Sequence, residues 1–373
     1  MNSVERILQT IDHQEPDRVP MADGFWPTTI ERWHGEGLPE NVPSINPAGK
    51  QGYMRPLRST DVSPADYFGL EMVQIRADYS PRFPTELIDE GGDTVLERTP
   101  YGALRRQNRN REGIPEVVEW PIKSRDDWDR IKPRLQPDPS RFNWTTTRGI
   151  YESARQKGQF VVLHAPVGWA HYHEYIKIDE LLMIMAVEPE WAKEMFQHQA
   201  ELVMALAQIV LDEGIQFDGA LLSCDLGYRN GTFFSPEMYR SLQFPFDQKV
   251  GRFFRDKGLP VILHSDGRVK SLIPQFLDAG VNVLNPIECK AGMDLVELKR
   301  EYGRDLAFMG GIDVRAMANP DPKVIEEEIK RKFAAAMVDG GYIYHSDHSI
   351  PNNVSLQQYR RVLELVRHYG VYR

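Results

Sequence analysis

Eight short apolar runs recur along the chain, each closing on polar or glycine-rich residues, with amphipathic stretches between most of them. They are RVPMADGF (18–25), MVQIRADY (72–79), FVVLHAPVGW (160–169), FDGALLSCDLG (217–227), LPVILHSDG (259–267), VNVLNPIEC (281–289), LAFMGGID (306–313) and GYIYHSDHSIP (341–351). Runs of four to seven apolar or β-branched residues mark strands covered on both faces, as parallel strands are. Helical periodicity fills intervals such as 235–258 and 322–341, both running to glycine C-caps. The opening MNSVERILQT is an amphipathic helix start rather than a signal peptide.

Eight strands alternating with helices predict an α/β fold, a distorted (β/α)8 TIM barrel forming one domain over residues 1–373. A doubly wound sheet is the alternative, but no GxGxxG follows any strand. The surplus length falls in insertions at about 27–70 and 93–135. The first, rich in Pro, Gly and Asn, reads as a long N-terminal loop. Within the second, residues 93–121 read as a two- or three-stranded antiparallel β-hairpin excursion. Residues 124–135 read as a helix capped by Ser124.

Composition narrows the class. Among 373 residues, 45 Lys and Arg against 54 Asp and Glu give a net charge of −9, without the basic footprint of a nucleic-acid binder. No apolar run approaches the ~20 residues of a membrane span. Two cysteines are too few for a disulfide framework, so a cytoplasmic protein is expected.

In a barrel of this kind the chemistry lies at the carboxyl ends of the strands. There the chain places Asp23, Asp78, His164, Asp225, His264 with Asp266, Glu288 with Cys289, Asp313, and His345 with His348. The His-x-Asp pair of LHSDG projects two side chains from one strand face. With a third ligand it makes an open zinc site; alone, it is a histidine bonded to a turn aspartate. Glu288 and Cys289, as chain neighbours, point to opposite faces, so at most one of them faces a site on a regular strand. In GYIYHSDHSIP, two histidines and an aspartate within four residues are costly to bury without a purpose. Asp225 is either a substrate or proton partner or a cap for the helix near Ser235. Trp26, Trp33, Trp169, Tyr172, Tyr175 and Tyr228, with His171 and His173, are available to line a pocket for a flat ligand or simply to cover the barrel top. Arg98, Arg105, Arg106, Arg109 and Arg111 form a basic hairpin, read as a solvated face or a docking edge for an acidic partner.

The opening VERILQTIDHQEPDRVPM resembles the start of the uroporphyrinogen decarboxylase superfamily. The resemblance returns at VVEWPIKSRDDWDRI and FFSPEMYRSLQFPF, and it is strongest from LHSDGRVKSLIPQF to HSDHSIPNNVSLQQY. It implies a distorted (β/α)8 barrel. The arginine-rich stretch of true uroporphyrinogen decarboxylases is replaced here by DGFWPTTIERWHGEG, which places the chain nearer the corrinoid-dependent methyltransferase branch. Against that branch's zinc motifs, His264 is retained while Asp266 and His348 stand where two cysteines would be. The resemblance thus implies a zinc-dependent methyltransferase moving a methyl group from a small O- or N-methyl donor to a corrinoid protein. His264, His348 and Asp266 would be the ligands, with Glu288 or Cys289 completing the set. Asp225 and His345 would deliver protons or orient ligands, and Trp26, Trp169, Tyr172 and Tyr228 would hold the donor. A decarboxylase or lyase is the alternative, with Asp78 and Asp225 acting on a carboxylated substrate held by Arg76 and Arg229. A non-catalytic binding protein comes third.

Overall fold

The computed structural model describes residues 1–44, 61–89, 91–108 and 115–372. Seven parallel strands follow one another around a curled sheet: β1 (Met72–Arg76), β2 (Phe160–Pro166), β3 (Gly219–Ser223), β4 (Val261–His264), β5 (Val283–Asn285), β6 (Ala307–Met309) and β7 (Tyr342–Ile343). The eighth stave is the first apolar run, held by isolated bridges rather than a regular strand. Met21 bridges Tyr344 beyond β7, and its carbonyl accepts from the Glu71 N–H just before β1. The ring therefore closes as a distorted TIM barrel.

Strand periodicity decides what enters the barrel. Phe160 and Val162 of β2, Leu221 of β3, Ile262 of β4, Val283 of β5, Ala307 and Met309 of β6 and Ile343 of β7 form one apolar cluster inside the ring. Val161, Leu163, Leu222, Leu263 and Phe308 join the larger core between strands and helices. Each large apolar side chain withdrawn from water contributes roughly 1.5–3 kcal/mol, so the inward set defines the register strongly. Ile7 and Ile11 of the first helix, Ser3–Ile11, belong to the inner cluster, and the carbonyl of Thr10 accepts from Gly341 before β7. This helix starts on a capping box of Asn2 and Glu5 and closes the amino-terminal end of the barrel. Further along five of the strands the same face carries Arg76, four residues beyond Met72, and His164, Ser223, His264 and Asn285, each two beyond an inward apolar residue. The inner face turns from apolar to polar toward the carboxyl ends.

The insertions hold more structure than their composition predicts. Between 27 and 70 lie helices Pro27–Gly35 and Pro64–Phe68, each entered through proline; residues 45–60 fall outside the described residues. The excursion is a four-stranded antiparallel sheet, because Glu86–Asp89 pairs with Thr94–Arg98 ahead of Leu104–Asn108 and Glu116–Glu119. The helix Arg125–Ile131 is capped by Ser124, as predicted. The segment 235–258 breaks into Pro236–Leu242 and Phe244–Arg255 at Gln243, whose side chain accepts from the Trp169 N–H. No helix among the described residues is long and apolar enough to cross a membrane.

Candidate active site

A cleft of about 1360 Å³ opens at the carboxyl ends of the strands. His264, last residue of β4, sits on its floor. Its Nδ1 lies 2.7 Å from Asn285 Oδ1, while the Asn285 amide nitrogen donates to the Met309 carbonyl at 2.9 Å. That second bond orients the amide, so Oδ1 faces the ring and Nδ1 must carry the donated hydrogen. Nε2 of His264 is thereby left facing the cleft, 3.7 Å from Asp225 Oδ1 and 3.9 Å from Asp266 Oδ2. His348 approaches from the last loop, its Nε2 3.7 Å from Asp266 Oδ2 and its ring stacked on Trp26 at 5.8 Å.

Asp225, His264 and Asp266 can each place one ligand atom within 4.8 Å of the others. Two ligand atoms about 2.1 Å from one tetrahedral ion are about 3.4 Å apart, close to the spacings seen here. Asp266 Oδ1 is buried without a hydrogen-bond partner, an open valence for a cation. Desolvation, helped by Asp225 and Glu288 and opposed by His264 and His348, raises the Asp266 carboxyl above its ordinary value. Desolvation works against protonation of His264, but Asp266 and Asp225 outweigh it and the imidazole is raised. The donor set fits a small, hard-to-borderline divalent ion.

The turn carrying Asp266 depends on glycine. Gly267 has φ +84°, and a Cβ there would meet the Gly227 carbonyl carbon at 2.2 Å. Its N–H donates to Glu288 Oε2 at 2.6 Å, and Lys290 pairs with the other oxygen at 3.1 Å. Glu288, expected as a ligand, instead braces this turn.

Cys289, the other expected fourth ligand, belongs to a second group with Asp313 and Glu328. There the buried Lys332 ammonium pairs with Glu328, donates to the Gly311 carbonyl and lies 3.1 Å from Cys289 Sγ. Desolvation outweighs the nearby ammonium and pushes the Cys289 thiol up to about 12, so it stays protonated. Asp347 accepts from the Cys289 and Val314 N–H groups and ties these loops together.

His345 lines the cleft and donates from Nδ1 to the Ser346 carbonyl at 2.7 Å. Asp78 stands at the rim, accepting from the Ser80 N–H and from Arg82. Trp26 lines the mouth and is 40% exposed. Trp169 and Tyr172, expected to hold a ligand, are instead fully buried outside the cleft. Trp169 packs on His173, Phe233 and Phe234, and the Tyr172 hydroxyl donates to the Met195 carbonyl at 2.5 Å. Their helix, Gly168–Tyr172, turns them away from the mouth, whereas strand ends point into it. Tyr228 lies exposed on the small hairpin Gly227–Thr232 against Phe233, and Arg229 is exposed beside it. The hairpin arginines do not form a free basic edge: Arg98 pairs with Glu86, Arg105 with Glu97 and Arg106 with Glu116. Arg109 and Arg111 lie outside the described residues.

Asn285 was absent from the sequence-based candidates, although its position two residues beyond inward-facing Val283 is the signal that finds it. His164, two beyond Val162, follows the same rule. Desolvation, together with the positive charges of Arg76 and His264, holds its imidazole well below the usual range, so it is neutral at neutral pH.

Closed parallel strands with ionisable groups gathered at their carboxyl ends define a barrel of the enzyme-bearing kind. The profile of the uroporphyrinogen decarboxylase (URO-D) family matches residues 108–369, and the chain belongs to that family. No curated protein matches it. Among solved structures, a methyltransferase from Methanosarcina mazei is similar over 99% of both chains, at 15% identity and a TM-score of 0.64, a likeness of fold. A B12-independent methionine synthase from a Shewanella species is similar over 81% of this chain and 82% of its own, at 10% identity and a TM-score of 0.45.

Proposed function

We propose that this protein is a zinc-dependent methyltransferase that moves a methyl group from a small O- or N-methyl donor, such as an aromatic methyl ether, to a corrinoid protein. The observation that carries this reading is the Asp225–His264–Asp266 group at the mouth of a barrel of this family, with His348 beside it and Asp266 Oδ1 unpaired. Zinc held by these residues supplies Lewis acidity toward the leaving oxygen or nitrogen of the donor.

The remaining work falls to the chain. Asn285 accepts from Nδ1–H, orients the His264 ring and so leaves Nε2 as the nitrogen turned to the metal position, as outer partners of metal-binding histidines do. Two imidazoles and two carboxylates, without thiolate, favour an oxygen or nitrogen function over a thiol. With Nδ1 committed to the Ser346 carbonyl, His345 has Nε2 left to take up a proton from solvent and pass it to the departing oxygen or nitrogen. Trp26 offers an apolar face at the mouth.

The test is formation of methylcobalamin from reduced cobalamin and a panel of methoxylated aromatics and N-methyl amines, followed by absorbance. Turnover is expected with at least one donor, falling at least about 100-fold in His264→Ala. Release of carbon dioxide from a carboxylated substrate, without methyl transfer to any acceptor, would place the chain with the decarboxylases instead.

A further inference from the structure

Among the described residues, one cation that lines the cleft has no carboxylate partner. Arg76 ends β1 on the inner face, paired in register with His164 of β2, and lines the cleft. Among the described residues its side-chain partner is the neutral Gln74 amide on its own strand. No carboxylate among the described residues lies within ion-pair distance. The other guanidinium groups lining the cleft are satisfied: Arg105 pairs with Glu97, and Arg141 donates to the carbonyls of Asp78, Ser80, Arg134 and Gln136. Burial brings the Arg76 guanidinium down to about 10, with only the Tyr79 phenol acting against this, and the group is still charged at neutral pH. Tyr79 also lines the cleft, and its hydroxyl is buried without a partner. Holding a desolvated charge without a counter-charge costs free energy that a ligand anion recovers.

We infer that Arg76 anchors an anionic group of the substrate, and that the donor accepted by this cleft is an anion, such as a carboxylate-bearing methyl ether, rather than a neutral one. The inference rests on the methyl-donor reading of the same site. Arg76, His164, Asp225, His264 and Asp266 all line this one cleft, so a ligand that fills it is met by the guanidinium and by the Asp225–His264–Asp266 group. A planar carboxylate suits the guanidinium fork, which can bind both oxygens. Neutral His164 has no hydrogen-bond partner among the described residues and stands beside this position. The anion would fix the donor's orientation and exclude uncharged ethers of the same shape.

Calorimetric titration of the zinc-loaded protein with 4-methoxybenzoate, benzoate and uncharged 4-methoxybenzyl alcohol tests this without any methyl acceptor present. The two carboxylates should bind roughly ten- to a hundredfold more tightly than the alcohol, as a charge-assisted pair warrants. Arg76→Gln should erase that preference while leaving the weak binding of the alcohol unchanged, and Arg76→Lys should restore part of it. A thermal melt checks that both variants fold. Equal affinity for the three compounds, failure of the wild type to bind any, or a carboxylate preference that persists in Arg76→Gln would overturn the inference. Carboxylate discrimination by a protein that transfers no methyl group would uphold the anion site and defeat the methyltransferase reading. Methyl transfer from neutral ethers alone would do the reverse.

Discussion

Two groups of metal-binding residue types lie near the carboxyl ends of the strands, and they differ in how their negative charge is met. Around Cys289, Asp313 and Glu328, the Lys332 ammonium is already in place, paired with Glu328 and in contact with the cysteine sulfur and a backbone carbonyl. Around Asp225, His264 and Asp266, no lysine or arginine among the described residues pairs with either aspartate, and one carboxylate oxygen has no partner at all. The donor types are similar, and the compactness is the same within 4.8 Å. The first group has its cation supplied by the chain; the second is built to receive one. Ligand chemistry alone does not mark a metal site, and the accounting of charge separates the two.

That contrast can be broken most forcefully at Lys332. Replacing it with methionine removes the resident cation from beside Cys289 and the Gly311 carbonyl and leaves Glu328 with Arg331 as its remaining ion pair, so unfolding by urea should show a loss of about 3 kcal/mol. A variant as stable as the wild type would mean that the ammonium does not hold the group around Cys289 together. At the Asp225–His264–Asp266 group the cation comes from outside. Zinc at a free concentration a hundredfold above its dissociation constant should raise wild-type stability by about 2.7 kcal/mol, and the same zinc should leave His264→Ala unmoved. An equal gain in both proteins would place the bound ion elsewhere.

A smaller effect separates the cleft from the aromatic helix behind it. Tyr172→Phe removes the hydroxyl bond to the Met195 carbonyl inside the helix Pro189–Asp212 and should cost about 0.5–1.5 kcal/mol, with no change in substrate KM. A raised KM at normal stability would return Tyr172 to the binding surface.

The smallest effect concerns Asp247, which accepts from the Tyr239 hydroxyl and the Gln243 amide beneath that helix. Burial, opposed by those two donors, raises its carboxyl from 3.8 to about 6. The folded state therefore holds this proton more tightly than the unfolded chain. The resulting stability is complete below 3.8 and lost as pH rises through about 6. Asp247→Asn cannot lose it, so its melting temperature relative to the wild type should rise between about pH 4 and pH 8. A difference independent of pH would show that Asp247 does not titrate in this range.

How much of this was legible in the sequence follows from the range of each interaction. The barrel strands are visible because continuous apolar runs are local, and His264, Asp266 and His348 stand in short motifs at their ends. The first stave reads as a strand but forms only bridges, since hydrogen bonding depends on neighbours at Glu71 and Tyr344. Lys332 is invisible as a partner of Cys289 because 43 residues and a helix separate them. Glu288 and Cys289 look equivalent as fourth ligands until the backbone turns one toward Gly267 and the other toward Lys332. The aromatic run GWAHYHEY misleads for a related reason: composition shows that the rings are present, while the helix direction decides that Trp169 and Tyr172 face the core.

The central claim is that the barrel mouth, and not the lysine-filled group beside it, binds a metal ion. Metal analysis of protein purified from zinc-supplemented cells and passed over a desalting column tests it most directly. The account predicts about one zinc per chain in the wild type and in Cys289→Ser, and almost none in His264→Ala, with all three proteins folded. Zinc retained in full by His264→Ala, or lost from Cys289→Ser alone, would contradict it.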